Sequence, residues 1–331
     1  PGRPGQPHGP CDLATGPVDG VDLALVGRHD EQVAVHGGRR PHAAVEVRTV
    51  LHRPHQRVVG LRRVELEDLA EFVRAVRSPF VLDADVERPL VVGDERGIDV
   101  VARPVAAAAG ASLMMADAPR AMIDLNRSAD DIDWSMVRGE KPRAVRHSLA
   151  NRRSRNGLGL VPRRIPGMGE IWRQPLEKAE LDSWIAGIYR PYHMALASEL
   201  ERLRDRWGAV LLIDLHSMPP LRKTHPEDRP AEFVIGDRFG ASCDPGLVDL
   251  AIRYLSAHGR RVAHNRPYSG GYVLDRYGQT ARGVHAMQIE VCRTSYLDAN
   301  LDQPSFRAGA ITKLLAGLVE TMAAEVEAIS G

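Results

Sequence analysis

The first residue that could carry chemistry is the histidine that follows an apolar run. Val210 to Leu215 is rich in Leu and β-branched residues and leads directly into His216. Such a run is typical of a buried strand, most often a parallel one. Because ligands of open α/β sheets bind beyond the carboxyl ends of the strands, His216 stands where a site is expected. The alternative is that His216 only closes the strand and bonds a nearby carbonyl.

A second chemical group is the carboxylate of Glu290, within the segment from His285 to Arg293. Alternation along a strand places Gln288, Glu290 and Cys292 on one face and apolar side chains on the other. A glutamate in the middle of a core strand is costly to bury unless it is paired or catalytic. An edge strand that leaves Glu290 in water is the alternative.

Cationic and amide side chains are concentrated in residues 118–127, where Arg120, Asn126 and Arg127 follow an apolar approach. A guanidinium binds a carboxylate through a planar fork and keeps its charge at any working pH. The segment therefore predicts a carboxylate-binding site. A solvated turn with ordinary surface arginines is the alternative.

Several kinds of nucleophilic catalysis find no support in the sequence. It contains no Gly-x-Ser-x-Gly motif, and Cys243 and Cys292 lack the context that would activate a thiol. Metal-assisted hydrolysis is then the economical chemistry. A zinc ion with three protein ligands keeps a fourth position for water and lowers the pKa of that water, while a nearby carboxylate moves the proton.

The elements that must position these groups alternate between helices and strands. Helical patterns are predicted over 98–109, 176–207 with an interruption near Pro191, 245–257 and 305–329. Further strands are predicted over 112–116, 233–238 and 262–263. This alternation favours an α/β protein with a mostly parallel or mixed sheet. Residues 138–169 have no useful period and predict a long loop, of the kind that often serves as a lid or binding loop.

The start of the chain differs from the rest, because residues 1–92 are rich in His, Arg and Pro and contain no Lys, Tyr or Trp. We therefore predict an irregular N-terminal segment over 1–92 and an α/β domain over 93–331. A helical pattern is possible only from Val58 to Val76.

Composition limits the partners. The 331 residues carry a net charge of +1 with arginines spread along the chain, which argues against nucleic acid. Three scattered cysteines indicate a reducing compartment. No run of eighteen apolar residues and no signal-peptide pattern is present, so we expect a cytoplasmic protein with a small-molecule substrate and no membrane partner. The oligomeric state cannot be predicted.

These motifs, in this order, resemble the N-formylglutamate amidohydrolases, which are relatives of aspartoacylase and the zinc carboxypeptidases. The resemblance runs from about Gly93 to Leu301. Its strongest pieces are Pro119-Arg120, Asp124-Leu125-Asn126-Arg127, Gly157 to Leu160, Tyr189 to His193, Asp214 to Pro219, Gly236-Asp237-Arg238, Asn265 to Tyr272 and His285 to Arg293.

The resemblance implies a three-layer α/β fold like that of the zinc carboxypeptidases, with helices on both faces of a mixed, mostly parallel sheet. It also implies Zn²⁺ as cofactor, His216 as a ligand and Glu290 as the general base. Arg120, Asn126 and Arg127 would hold substrate carboxylates or polarise the scissile carbonyl, with Arg120 the catalytic one. The reaction would convert N-formyl-L-glutamate to formate and L-glutamate in histidine degradation.

Two further residues are predicted to bind substrate. Tyr272 closes the glycine-containing segment 265–272, which is suited to cover a ligand, and Arg293 directly follows the strand of Glu290.

The sequence departs from the family at the first zinc ligand, because the Pro-His-(Ser/Ala)-Gly motif is not intact. Pro54-His55 stands at a plausible distance, and Pro7-His8-Gly9 offers another Pro-His pair. Asp94-Glu95 stands where the family has its acidic pair. The resemblance thus implies His55 and Glu95, or Asp94 in place of Glu95, as the remaining ligands. Two alternatives for function stay open: a related N-acyl amino acid amidohydrolase or carboxypeptidase, and an inactive carboxylate-binding protein that lacks the first zinc ligand.

Overall fold

A computed structural model describes residues 24–28, 47–48, 97–116, 118–140, 152–165, 169–172, 174–223 and 225–330. The predicted sites His55, Asp94 and Glu95, and the helical pattern from Val58 to Val76, lie outside these residues. The described strands are β1 (Ala24–Arg28), β2 (Val47–Arg48), β3 (Ser112–Ala116), β4 (Val137–Arg138), β5 (Arg164–Ile165), β6 (Gly169–Glu170), β7 (Leu176–Glu177), β8 (Val210–Met218), β9 (Phe233–Gly236), β10 (Val262–His264) and β11 (Val284–Cys292).

The central sheet has seven strands in the order β10-β9-β11-β8-β1-β3-β2. Strand β8 lies at its centre, parallel to both β11 and β1. Antiparallel pairing occurs between β9 and β11 and between β2 and β3. The sheet is therefore mixed and mostly parallel, as the sequence predicted. Because β11 lies between two strands, Glu290 is not on an edge, and the interpretation of a solvated edge strand was wrong.

Two stretches of the segment predicted to be irregular take part in this sheet. Strand β1 is inserted between β8 and β3, and β2 pairs with β3. Both contributions are short, with five and two residues. The proposed boundary at residue 93 stays a prediction.

The described helices are α1 (Asp99–Ala109), α2 (Arg152–Arg155), α3 (Lys178–Trp184), α4 (Arg190–Trp207), α5 (Pro245–Ala257), α6 (Tyr272–Tyr277) and α7 (Ala308–Ser330). The interruption predicted near Pro191 is a π-helical segment, Ile185–Tyr189, between α3 and α4. Pro191 lies in the first turn of α4. Proline lacks a backbone N–H, and it is tolerated there because the N–H groups of a first turn have no partner within the helix. No helix among the described residues is long and apolar enough to cross a membrane.

Alternate residues of β8 feed two separate cores. Leu211 and Ile213 pack with α1, α5 and α7 on one face of the sheet. Val210 and Leu212 pack with α3, α4 and α6 on the other face. The sheet is thus covered by helices on both sides. Asp214 and His216 project towards the second core because they continue the alternation of Val210 and Leu212.

Candidate functional site

A cavity of about 200 Å³ lies at the carboxyl ends of β8 and β11. One wall, which we call the strand wall, consists of residues from these two strands, including His216 and Glu290. The opposite side, which we call the loop wall, comes from segments 120–127 and 153–164. Residues 267–271 also line the cavity, as predicted for a loop that covers a ligand. The location agrees with the general position of ligands in α/β sheets.

The strand wall is built by register. In the parallel ladder Glu290 lies opposite His216, and Gln288 lies opposite Asp214. All four side chains are buried, and Glu290 is 7% exposed. The side-chain amide of Gln288 donates to Oε1 of Glu290 over 2.7 Å, so the carboxylate is oriented by its own strand. Backbone hydrogen bonds, and not flexible side chains, therefore set the spacing between the imidazole and the carboxylate.

His216 is held by a carboxylate. Its Nε2 lies 2.8 Å from Oδ2 of Asp214, which also accepts a hydrogen bond from Nδ2 of Asn126 over 3.0 Å. An ionised carboxylate only accepts, so the close contact assigns a proton to Nε2 of His216. The 3.3 Å contact between Asn126 Nδ2 and the same ring nitrogen then joins two donors and is not a hydrogen bond. In the neutral ring this tautomer places the lone pair on Nδ1.

Asn126 is itself fixed from the other side. The backbone N–H of Val273 donates to its Oδ1 over 2.8 Å, which turns the amide nitrogen towards Asp214. A Cβ at Gly271 would lie only 2.4 Å from that Oδ1. Glycine at this position lets the start of α6 approach Asn126 closely. Asn126 therefore joins the loop that covers the cavity to the strand wall.

Asp124 organises the first arginine segment of the loop wall. It is buried, and its Oδ2 accepts from Nε and Nη2 of Arg120, both over 3.1 Å. The same oxygen lies 3.4 Å from Nη2 of Arg127. Arg127 also donates to the carbonyls of Leu158 and Asn126, over 3.0 and 2.7 Å. Much of the Arg127 guanidinium is thus used to join the two segments of the loop wall.

The second arginine segment is fastened to buried Asp131. The N–H of Ser154 donates to Oδ1 of Asp131 over 3.0 Å, and the N–H of Leu160 donates to its carbonyl over 2.6 Å. A Cβ at Gly159 would lie 2.3 Å from that carbonyl, so glycine permits the close approach. Burial raises the pKa of Asp131 above its ordinary value, while its hydrogen bonds with Ser154 oppose the rise. The segment carries Arg153 and Arg164 into the cavity wall.

Two residues predicted to bind substrate do not line the cavity. The hydroxyl of Tyr272 accepts from Nη1 of Arg276 over 2.8 Å, and its ring packs edge-on against His193. Arg293 is buried behind the cavity, where its Nε donates to Oγ of Ser217 over 3.2 Å. Ser217 does line the cavity. Both residues adjoin the site, and their roles in binding stay predictions.

The structure brings together His216, Glu290, Arg120, Asn126 and Arg127 around one cavity. Sequence reasoning missed five residues that support or line it: Asp124, Arg153, Asp131, Asp214 and Arg164. Asp214 had a readable signal, because it lies two residues before His216 and so shares its face. Arg153 and Arg164 had none, since they lie in a stretch without periodicity.

The fit of this site to a metal rests on His216. Histidine ligands of metals commonly donate their second ring nitrogen to a carboxylate, and Asp214 stands in that position. Within the described residues there is no group of three or more His, Cys, Asp or Glu side chains that could hold a metal. The part of the chain that the structure describes therefore offers one metal ligand, His216, and does not complete a three-ligand site. The other predicted ligands, His55 and Glu95, stay predictions.

Comparison with known proteins identifies the family. The family model described as N-formylglutamate amidohydrolase matches residues 74–297, which is more than half of the chain. N-formylglutamate deformylase of Pseudomonas aeruginosa is 32% identical over 192 residues, covering 57% of this chain and 65% of the relative. The enzyme of the same name from Pseudomonas putida is 30% identical over 193 residues, with the same coverage of each chain. The chain thus spans less than two thirds of the length of these curated relatives.

Solved structures agree. The crystal structure of N-formylglutamate amidohydrolase from Ralstonia eutropha has a TM-score of 0.60 and 35% identity, covering 69% of this chain and 80% of that one. The match to the crystal structure of a gene product of Agrobacterium tumefaciens covers 93% of this chain and 92% of that chain, with a TM-score of 0.56 and 18% identity. This likeness shows a shared fold. The family model and the Ralstonia structure together show that this chain belongs to the N-formylglutamate amidohydrolase family.

Proposed function

We propose that this chain hydrolyses N-formyl-L-glutamate to formate and L-glutamate. The observation that carries the proposal is the pairing of buried Glu290 with His216 across the β8–β11 ladder, at a cavity that arginines also line. A general base, a candidate metal ligand and cationic groups for an anionic substrate are the parts that this reaction needs. The deformylase relatives from two Pseudomonas species support the choice of substrate.

We assign each residue one task in this reaction. Glu290 accepts a proton from the attacking water and delivers it to the amine as the C–N bond breaks. Gln288 keeps the Glu290 carboxylate turned to the cavity through its 2.7 Å hydrogen bond. Arg120, which Asp124 holds, stabilises the negative charge that develops on the carbonyl oxygen. Asn126 and Arg127 hold a substrate carboxylate at the junction of the two walls.

Zinc dependence is part of the proposal. His216 would be one ligand, oriented by Asp214, and the family resemblance implies His55 and Glu95 as the others. Bound zinc supplies a Lewis acid that polarises a carbonyl and lowers the pKa of water. We also propose a layering like that of the zinc carboxypeptidases, a place in histidine degradation and a cytoplasmic location. Buried free thiols at Cys243 and Cys292 agree with a reducing compartment.

The test combines metal content with product release. The purified chain is dialysed against metal-free buffer, its zinc is measured by elemental analysis, and formate is assayed with N-formyl-L-glutamate as substrate. We expect about one zinc per chain and release of formate, with N-acetyl-L-glutamate as the comparison that tests the acyl group. Binding of N-formyl-L-glutamate without release of formate, with or without added zinc, would instead indicate a carboxylate-binding protein.

A further inference from the structure

Among the described residues, the cavity has more positive groups than carboxylates. Two carboxylates and four guanidiniums of this part of the chain line it: Asp124, Glu290, Arg120, Arg127, Arg153 and Arg164. The arginines belong to two different segments of the chain. Because each guanidinium keeps its charge at any working pH, the cavity favours an anionic ligand.

The arginines of segment 120–127, Arg120 and Arg127, already form hydrogen bonds and ion pairs within the protein. Asp124 accepts from two nitrogens of Arg120 and also lies beside Arg127. Arg127 further donates to Leu158 and Asn126. These contacts leave the first segment suited to one anionic group of a ligand, next to Asn126.

The environment of Arg164 differs from that of Arg120 and Arg127. Arg164 lies within salt-bridge distance of no carboxylate among the described residues, and its Nε donates to the carbonyl of Asn156 over 2.7 Å. Its aliphatic stem crosses Gly157 so closely that a Cβ there would lie 2.8 Å from Cγ of Arg164. Gly157 has a φ of +74°, which glycine adopts without strain. The side chain is therefore positioned, while no carboxylate in the part of the chain that the structure describes pairs with its charge.

The adjacent residue, Arg163, has contacts typical of a structural arginine. Nη1 of Arg163 lies 3.1 Å from Asp133, and its Nε lies 3.6 Å from Glu170. Arg163 does not line the cavity. Two consecutive arginines thus have opposite environments, one paired with carboxylates away from the cavity and one directed to the cavity.

Arg153 adds a second charge from the same segment. It is exposed on α2, and the next residue, Ser154, is fastened to buried Asp131. Asp131 interacts with Arg153 electrostatically but lies beyond ion-pair distance. Arg153 and Arg164 thus line the cavity from one segment, which hydrogen bonds to Asp131 hold in place.

We infer that Arg164, assisted by Arg153, binds a second carboxylate of the substrate and so selects N-acyl amino acids with an acidic side chain. This inference rests on the proposed function and deepens it. A planar guanidinium can grip a carboxylate with two hydrogen bonds, and an uncharged amide of the same shape cannot form that ion pair. N-formyl-L-glutamate and N-formyl-L-glutamine differ in this one group and are the matched substrates.

The experiment compares kcat/KM for these two substrates in the full chain and in Arg164→Gln. We expect a preference for the glutamate substrate that falls about 10- to 100-fold in Arg164→Gln, mainly through KM. The value for N-formyl-L-glutamine should change little. Arg153→Gln should lower the preference in the same direction by less. Arg163→Gln and Arg155→Gln are the controls, because both residues are near in sequence but do not line the cavity, and both should keep the full preference.

Calorimetric titration with the same two compounds separates this inference from the proposed function. If neither the original chain nor any variant releases formate, the proposed function fails. The role of Arg164 is then judged from the binding affinities alone. Loss of affinity for N-formyl-L-glutamate in Arg164→Gln, with a normal melting temperature, supports the second carboxylate position. An unchanged preference in Arg164→Gln, in rates and in affinities, overturns it.

Discussion

The two walls of the cavity are made by different means. On the strand wall, the polar side chains come from two adjacent parallel strands, and the ladder sets Glu290 opposite His216. On the loop wall, the guanidiniums come from loops and from two short elements outside the central sheet, α2 and β5, and single buried acids hold those segments. Asp124 serves residues 120–127, and Asp131 serves residues 153–164.

The difference separates chemistry from recognition. Groups that transfer protons or bind a metal need spacing defined to fractions of an ångström, and a ladder at the centre of a sheet supplies it. Groups that attract an anion tolerate more variation, because charge acts over longer distances. We therefore expect changes in the strand wall to act on kcat or metal binding. Changes in the loop wall, apart from Arg120, should act mainly on KM.

The largest effect is expected for Glu290→Gln. The amide keeps the shape of the carboxylate but cannot accept the proton, so kcat should fall by about 10²- to 10⁴-fold, while zinc content stays the same. Formate release and elemental analysis on the same preparation measure both. Glu177→Gln, at an exposed position, is the control. Unchanged turnover in Glu290→Gln would remove this residue from the mechanism and the strand wall from its assigned role.

A smaller loss is expected for Asp214→Asn. The substitution removes the acceptor that holds Nε2 of His216 and the amide of Asn126. Removing such a partner of a metal ligand typically costs about 10- to 100-fold in metal affinity or activity. Competition with a chelator measures the zinc affinity, and kcat is measured at saturating zinc. An equal loss in Asp249→Asn, which affects an exposed pair on α5, would mean that His216 is not a ligand.

The loop wall is tested through Gly157→Ala. Alanine is strained at a φ of +74°, by about 1–2 kcal/mol, and its Cβ would meet the stem of Arg164. We expect KM for N-formyl-L-glutamate to rise severalfold while kcat changes little. Gly110→Ala is the matched control, since its φ is +67° and no atom lies within 4 Å of the added Cβ. It should lower the melting temperature and leave KM unaltered, whereas a similar KM in both variants would contradict the role of the Gly157 contact.

The smallest effect concerns His285, which lies on β11 but faces away from the cavity. The N–H of Asp244 donates to its Nδ1 over 3.2 Å, and burial lowers the pKa of the ring below the ordinary value of 6.5. The unfolded chain therefore binds a proton before the folded one does. Stability should be highest above pH 6.5 and fall as the pH drops through the lowered pKa.

Denaturant unfolding at several pH values measures this dependence, and His285→Gln should flatten it without changing KM. His225→Gln, at an exposed position, should leave the slope as it is. A strand-borne histidine that affects stability alone would show that the strand wall acts through its cavity-facing residues only.

Much of the regular structure could be predicted from the sequence. The strand over 112–116 and the helix over 245–257 have the predicted bounds, because periodicity and punctuation by Gly, Pro and capping residues mark both. His216 was expected just after its strand and instead lies within it, since β8 continues to Met218. An apolar run ends earlier than its ladder when polar residues face a site.

The candidate site was only partly predictable. His216 and Glu290 could be found because each breaks an apolar strand, which is an anomaly that one sequence can show. Arg164 could not be found in this way, because its importance comes from its position over Gly157 and from the absence of a carboxylate partner among the described residues. That information exists only after the chain has folded.

The position of Gly159 against the carbonyl of Asp131 has a consequence for hydrogen exchange. Protection there comes from a few backbone bonds of a segment outside the central sheet, and we expect these to open without disturbing the sheet. The ladder between β8 and β11 can open only when the centre of the sheet unfolds, because other strands flank both. The amides around Glu290 and His216 should therefore exchange with the global free energy of unfolding, and those of residues 153–160 with a smaller, local one. The protein would thus combine a permanent strand wall with a loop-wall segment that opens and recloses many times within the lifetime of one folded molecule.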